Sequence, residues 1–480
     1  MTANHTVVLT YGSELFNFNS GSNSLMEYIP QSPDMTTMDT NSVLRDGGER
    51  TMTTRRNVTE TLRYMASASS QTEIQTAKQQ LQRLLTKAER RQNSRSGSAV
   101  YINFGPYNIS GSYRSEILGG RIDMTDRSFN ATHWGNRKVE FMMTFTRRYF
   151  WEGDEVTIGD IKNSHGTGAS IQVYNHNDSG HNNYIEISAS SVTGEISTPP
   201  KISLINSAGS TMYPRDIFIS HNVINNPGSF SHMIEGESAS TSGSIVASAN
   251  YSSGSALQMW TGASSLTTQN RRATWELTGS ILDNCYGSHF AILARLDGTP
   301  VTASTYVQVK LVYPWSTGLS VLFEGPEIEI SPVLSATYDG IFNFGTLKLP
   351  PNLSFTSGFD SIGLSMYVRT SASYYINVDY IQLSPVDTGF RRINQVGVNG
   401  WVSGQIALDE PNESTYSSGS TSAEASKYNL FTLSGKQINL YPGELQRLYI
   451  LQSDYDTNYH VYSNRVVYAR VSYRPRRLTL

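Results

Sequence analysis

Apolar residues fall at three- and four-residue steps in one stretch of the chain, where Ile74, Ala77, Leu81, Leu84, Leu85 and Ala88 share one face of a helix. Ser70-Gln71-Thr72-Glu73 precedes them as a capping box, in which a hydroxyl and a carboxylate satisfy the first free backbone donors. Lys87, Arg90 and Arg91 crowd the far end, where the helix dipole favours positive charge, and the polar run from Asn93 to Gly97 ends it. This is the only helix the pattern predicts. Elsewhere the period is two: His5–Tyr11, Ala99–Phe104 and Val139–Phe145 read as strands. Arg50–Tyr64 is a further strand region, although the spacing of Val58 and Leu62 also suits a helical turn. Tyr113–Met124 reads as strand, Gly119-Gly120 turn, strand. Phe16–Asn41, polar and carrying Pro30 and Pro33, reads as a long loop or arm.

From Val156 onward the signal is short alternating segments with turn residues between them, the pattern of β-sandwiches. The fold class is therefore mainly β, with an N-terminal α+β module in which one helix lies on a sheet, followed by sandwich or jelly-roll domains. Residues 1–155 form the first module and 156–255 the first part of a sandwich, ending in a Ser/Gly/Ala-rich junction over 236–255. Residues 256–388 carry about eight strands, complete by themselves, and read as an inserted jelly roll. Residues 389–480 supply strands that return to complete the earlier sandwich, with Pro411–Ala425 as a surface loop.

Composition narrows the functional classes. Charged residues make up 16% of the 480, with a net charge of −3, which leaves out the basic footprint that sequence-independent nucleic-acid binding needs. The single cysteine, Cys285, excludes a disulfide framework and any zinc site built from several thiolates, and reads as a packed thiol. No apolar run is long enough for a membrane span, and Met1–Gly12 lacks the pattern of a secretory signal, so synthesis in a cytoplasm is expected.

Candidate chemistry is sparse. His165, His176, Asp178 and His181 lie close in sequence and offer imidazole and carboxylate ligands for zinc or nickel, but they lack the i, i+4 spacing of helical sites and read as polar loop tips. Glu152, Asp154 and Glu155 are adjacent acids without the fixed separation and opposed environments that glycoside hydrolysis requires. Arg147-Arg148-Tyr149-Phe150-Trp151 and Arg474-Pro475-Arg476-Arg477 join basic and aromatic residues. Arg147, Arg148, Tyr149, Trp151, Arg474, Arg476 and Arg477 are accordingly expected at a subunit interface. Trp260, Trp275 and Trp315 are candidates for a sugar-stacking platform. Trp275 reads as buried; Trp315, on a loop beside Tyr313, is the best-placed glycan contact, ahead of Tyr374 and Tyr375, but packing under its own loop or against a neighbouring subunit is the commoner fate of such a residue.

Three stretches, with the amphipathic helix before them, carry a resemblance: Tyr113–Gly120, Val139–Phe145 and Arg147–Gly153. Together they resemble the distal tail, or baseplate-ring, proteins of long-tailed bacteriophages. The resemblance implies an N-terminal module that closes a ring around a tail lumen, a galectin-like sandwich beyond it and, in longer members, an inserted carbohydrate-binding jelly roll. Residues 256–388 resemble such a jelly roll, above all at Val378–Pro385, and Val471–Arg477 resembles the endings of phage tail proteins. The implied function is a non-enzymatic structural virion protein with no cofactor and no metal. Its implied partners are copies of itself, tail tube and tip proteins, and host cell-surface glycan. A glycan-binding adhesin or tail-fibre protein is the alternative reading, and a glycoside hydrolase the third.

Overall fold

The protein is described from a computed structural model, which covers residues 5–19, 23–41, 48–67, 70–94, 98–105, 111–124, 138–175, 180–206, 214–224, 233–241, 243–248, 251–262, 266–277, 288–298, 303–314, 316–317, 320–331, 340–349, 362–395, 405–418, 431–454 and 467–480. Strand counts below refer to these residues. The protein is mainly β, with one α-helix among the described residues, and its chain divides into two compact units.

The first unit comprises Met1–Val156, Thr193–Ser197 and Arg474–Leu480. Its central sheet runs Glu14–Asn17, Thr6–Tyr11, Val100–Gly105, Tyr113–Met124, Lys138–Arg147, Val58–Ser67, Asn23–Glu27. The helix, Gln71–Ser94, begins where the Ser70 hydroxyl accepts a hydrogen bond from the Glu73 backbone N–H at 3.3 Å. Its predicted apolar stripe is the buried one. Ile74, Leu81, Leu84, Leu85 and Ala88 join a core with Leu9, Leu62, Tyr64, Ile102, Ile117, Phe141 and Trp151. Lys87 and Arg91, near the helix end, reach Glu14 and Glu116 at 2.6 and 3.1 Å.

Two sequence expectations change here. Gly119-Gly120 is not a turn, because Tyr113–Met124 is one strand with a register shift between Ile117 and Gly119. A turn and a bulge draw on the same glycine signal, and here the glycines serve close packing. A Cβ on Gly120 would stand 2.6 Å from the Thr144 carbonyl oxygen of the neighbouring strand. Phe16–Asn41 is not a loop either: it holds the edge strand Asn23–Glu27 and the strand Met35–Asn41. Met35–Asn41 pairs with Gly48–Arg55 as a separate two-stranded ribbon.

The second unit comprises Thr157–Val192 and Thr198–Tyr473 and contains two sandwiches. In the first, one sheet is built around Val467–Tyr473, Lys201–Asn206, Gln405–Asp409 and Ser414–Ser418. The facing sheet includes Tyr184–Ile187, Gln446–Asp454, Pro214–Val223, Phe390–Gln395 and Phe431–Lys436. Lys201–Asn206 pairs with strands more than two hundred residues later on both of its edges, so the two ends of this unit make one sandwich. Within Pro411–Ala425, Ser414–Ser418 is a strand and not loop.

The second sandwich packs two six-stranded antiparallel sheets around Leu257, Trp275, Phe290, Ile292, Val309, Phe344, Leu364, Met366 and Ile381. It begins at Met233, not at residue 256: Met233–Glu235, Ser240–Thr241 and Ser244–Ala247 pair into its sheets. The Ser/Gly-rich stretch expected as a junction therefore supplies edge strands, whose polar composition follows from having one side open to water. The two sandwiches meet through a small apolar cluster of Phe218 and Leu451 from the first with Met233, Ala291, Leu293, Ile341 and Tyr380 from the second.

One titrating group lies inside the first sandwich. His221 is fully buried on Pro214–Val223, its Nε2 at 3.0 Å from Gln446 Oε1. Gln446 Nε2 donates to the carbonyls of Tyr441 and Glu444, which fixes Oε1 as the acceptor and makes His221 Nε2 the donor. Nδ1 is buried and compensated only weakly, by the Thr388 backbone, so a second proton there would carry a poorly solvated charge. Burial accordingly lowers the imidazole pKa to about 4, against the smaller opposing effects of Gln446 and Thr388. Because the folded value lies below the unfolded one, His221 costs nothing above the ordinary imidazole range. It withdraws stability as pH falls from there toward the folded value. Between pH 7 and 4.5 wild type should lose about 2–3 kcal/mol more than His221→Gln in urea titrations. Equal losses would show that His221 accepts its proton without penalty.

Candidate functional site

The aromatic-basic residues expected at a subunit interface divide into two groups. Alternation along Lys138–Arg147 and Val58–Ser67 points Phe141, Met143 and Phe145 inward beside Leu62 and Tyr64. Arg147 and Glu60 continue the same rows. Arg147 Nη2 meets Glu60 Oε1 at 2.7 Å, with both side chains fully enclosed. The same guanidinium donates to the carbonyls of Gln31 and Arg148 at 2.7 and 2.8 Å and stacks 4.4 Å from the Trp151 ring. Glu60 also accepts from the Tyr28 hydroxyl and the Gln31 N–H, both at 2.7 Å. Burial beside that carboxylate holds the Tyr28 phenol well above its usual range. Arg147 and Trp151 are thus corrected from interface to core: Arg147 fastens the Tyr28–Gln31 segment to the sheet, Trp151 packs under its guanidinium, and neither has surface to offer a second subunit.

Arg148 and Tyr149 remain partly exposed. Arg148 pairs with Glu116 at 3.0 Å, and Tyr149 meets Phe150 edge-on at 5.0 Å. The final arginines turn back onto the first unit. Arg476–Arg477 pairs with Trp151–Glu152, and Arg476 grips Glu152 Oε1 at 2.9 Å and lies 3.8 Å over Phe150. Arg114 reaches Glu152 Oε2 at 3.3 Å, so this carboxylate is held by two cations. Arg474 donates to the Gly153 carbonyl at 3.0 Å, and the exposed Arg477 lies 5.2 Å from the Tyr113 ring. Gly194 is needed at this junction. Its φ is +127°, and a Cβ would stand 2.8 Å from the Arg476 carbonyl oxygen.

Among the histidines, His165 stacks on Tyr174 at 4.8 Å and lies 6.0 Å from His181, ring to ring. His176 and Asp178 lie outside the described residues, as does Cys285. Among the described residues no three His, Cys, Asp or Glu side chains gather as a metal site. An open groove of about 650 Å³ beside the helix start is lined by Leu15, Phe16, Asn23, Ala66, Ile74 and Gln80, and brings together no pair of catalytic groups.

The aromatic candidates of the second sandwich also separate. Trp315 lies outside the described residues. Tyr313 is half-buried and packs against the sandwich core. Trp275 is fully buried, its Nε1–H donating to the Gly236 carbonyl at 3.1 Å. Tyr374 is fixed at both ends: its N–H donates to Thr261 Oγ1 at 2.8 Å, and its hydroxyl accepts from the Ala303 N–H at 2.8 Å. Trp260 and Tyr375 behave differently. They are register partners on neighbouring strands, 47% and 43% exposed, with ring centroids 4.6 Å apart. Both are aromatic candidates in the sequence, but the register that pairs them joins positions more than a hundred residues apart. The available signal was alternation, which puts Leu257, Met259, Ile376 and Val378 inside and Trp260 and Tyr375 outside.

Fold and site together define a mainly β protein of one helix-on-sheet unit and one two-sandwich unit, with an exposed aromatic pair on the second sandwich. No family model and no curated protein matches the chain. Solved structures similar to it include the SPP1 Dit (gp 19.1) protein, described as a hub adsorption apparatus in phages infecting Gram-positive hosts. It is 11% identical, with 78% of this chain and 98% of that one covered and a TM-score of 0.25. The phage P2 baseplate in its activated conformation with Ca is similar at 10% identity, with 78% and 97% covered and a TM-score of 0.24. An exo-β-1,3-galactanase from Phanerochaete chrysosporium with galactose is similar at 11% identity, with 79% and 96% covered and a TM-score of 0.19. Likeness this distant carries no weight for activity.

Proposed function

We propose that the protein is a non-enzymatic structural component of a phage tail that assembles with copies of itself into a ring between tail tube and tip. The supporting observation is the Met35–Asn41 and Gly48–Arg55 ribbon, which pairs with no other strand among the described residues. A lone two-stranded ribbon is marginal in water and leaves two edges of unpaired backbone groups, which a neighbouring subunit would satisfy. Its root is apolar and exposed: Met26, Ile29 and Met35 are 40%, 68% and 57% accessible, and Leu15 in the same unit is 59%. Heterologous contacts of this kind close into rings when the rotation permits. The resemblance read at Tyr113–Gly120 and Val139–Gly153 supplies the tail context.

Light scattering on the purified chain should give one closed oligomer, and Ile29→Asp with Met35→Asp should shift it to monomer without lowering its melting temperature. A monomer at every concentration, absent from assembled particles, would overturn the reading.

A further inference from the structure

The geometry points to Trp260 and Tyr375 as a stacking platform for a neutral polysaccharide, at the open end of a sheet face whose other end is already used. The face belongs to the sheet ordered Ser244–Ala247, Ser255–Trp260, Tyr375–Pro385, His289–Gly298, Gly340–Lys348. At one end its outward residues Ala291, Leu293, Ile341 and Tyr380 are buried against the first sandwich. Midway, the enclosed Arg295–Asp379 pair, at 2.6 Å, ends the apolar part. Beyond it, at the end farthest along the strands from that cluster, the two rings stand in water. Exposed aromatics there contribute nothing to the contact between the sandwiches.

The platform is rigid before any ligand arrives. Thr261, fully buried, takes its N–H to the Tyr374 carbonyl at 3.0 Å and accepts the Tyr374 N–H on its hydroxyl at 2.8 Å. The two strands are thereby clamped one residue from the rings, so stacking a ligand on them costs little ordering entropy. One rung inward on the same face, about 7 Å along the strand, Gln258 and Asn377 are register partners and touch at 3.4 Å. Asn377 also donates to Tyr251 Oη at 2.9 Å and Asp297 Oδ1 at 3.2 Å. An apolar ring face beside a row of amide, phenol and carboxylate groups matches a pyranose, which presents C–H bonds on its face and hydroxyls at its rim. The only charge in that row is an acid, which selects against sulfated or carboxylated sugars. The two rings are tilted 50° to one another, an open form that suits an extended chain meeting each ring with a different sugar unit, and not a free monosaccharide.

Affinity electrophoresis through gels carrying a β-glucan, a galactan or a mannan, with dextran sulfate as the anionic control, tests this. Wild type should be retarded by at least one neutral polysaccharide and not by dextran sulfate. Trp260→Ala and Tyr375→Ala should each weaken that retardation at least about tenfold, the scale of a stacked anchor residue. Trp260→Phe should keep most of it, and all three should melt like wild type; should Trp260→Ala fold poorly, Tyr375→Ala and Trp260→Phe carry the test. No retardation on any neutral polysaccharide, or retardation indifferent to these variants, overturns the assignment. So does an altered oligomer size in the variants without any glycan binding by wild type, which would make the pair a protein contact. The ring reading stands apart, since the light-scattering size of the same samples reports it separately.

Discussion

Arg147→Ala should cost the first unit about 3–5 kcal/mol, the scale on which removing one partner of a buried ion pair leaves the other charged and enclosed. The loss is not confined to the Glu60 contact. Arg147 also holds the carbonyls of Gln31 and Arg148 and covers Trp151. Its removal therefore strands two carbonyls as well as a carboxylate, and releases the Tyr28–Gln31 segment that leads into the two-stranded ribbon. Glu60 would keep only the Tyr28 hydroxyl and the Gln31 N–H as donors, both on that loosened segment. Removing both charges avoids the stranded carboxylate, so Glu60→Leu with Arg147→Met should lose less than Arg147→Ala alone. Urea unfolding followed by tryptophan emission measures all three variants. A loss under 1 kcal/mol for Arg147→Ala would mean that water enters and solvates Glu60, and that the pair is not the fastening described.

The helix was legible because its signals are local: a cap at Ser70, a 3.6-residue stripe and basic residues at the end all agree within one window. The Arg147–Glu60 pair was legible in principle. Val139, Phe141, Met143 and Phe145 set a phase that places Arg147 inside, and Val58, Leu62 and Tyr64 do the same for Glu60. What hid the pair is that charge beside aromatics also describes an interface, and composition at five consecutive positions does not say which way each points. Gly119-Gly120 misled for the opposite reason, since one local signal serves turn and bulge alike. Pairings such as Trp260 with Tyr375 are set by long-range register. No window of sequence contains them.

Replacing residues 226–387 by a short Gly/Ser bridge should leave the first sandwich folded and cooperative, but less stable and prone to associate. Entry and exit of the segment lie side by side: Ser220 is the register partner of Phe390, the His221 N–H donates to the Gly389 carbonyl at 3.0 Å, and the Thr388 hydroxyl donates to the His221 carbonyl. A bridge of a few residues therefore closes the gap without strain, as for an inserted domain whose ends are adjacent. The core of the first sandwich, from Ile158 through Ile202, Ile217 and Ile393 to Leu448 and Val471, draws no residue from 226–387. The loss comes from Phe218 and Leu451, which now face Ala291, Leu293, Ile341 and Tyr380 and would face water instead. Their exposure costs about 1.5–3 kcal/mol each where burial had been complete. Phe218→Thr with Leu451→Thr should restore solubility in the shortened chain while lowering the stability of the full one. The excised segment, expressed alone, should fold as well, because its core from Ile234 to Leu383 is equally self-contained. Cooperative unfolding of both pieces is the expected result. A broad, non-cooperative melt of the shortened chain would show that the first sandwich depends on the second for its fold and not only for cover.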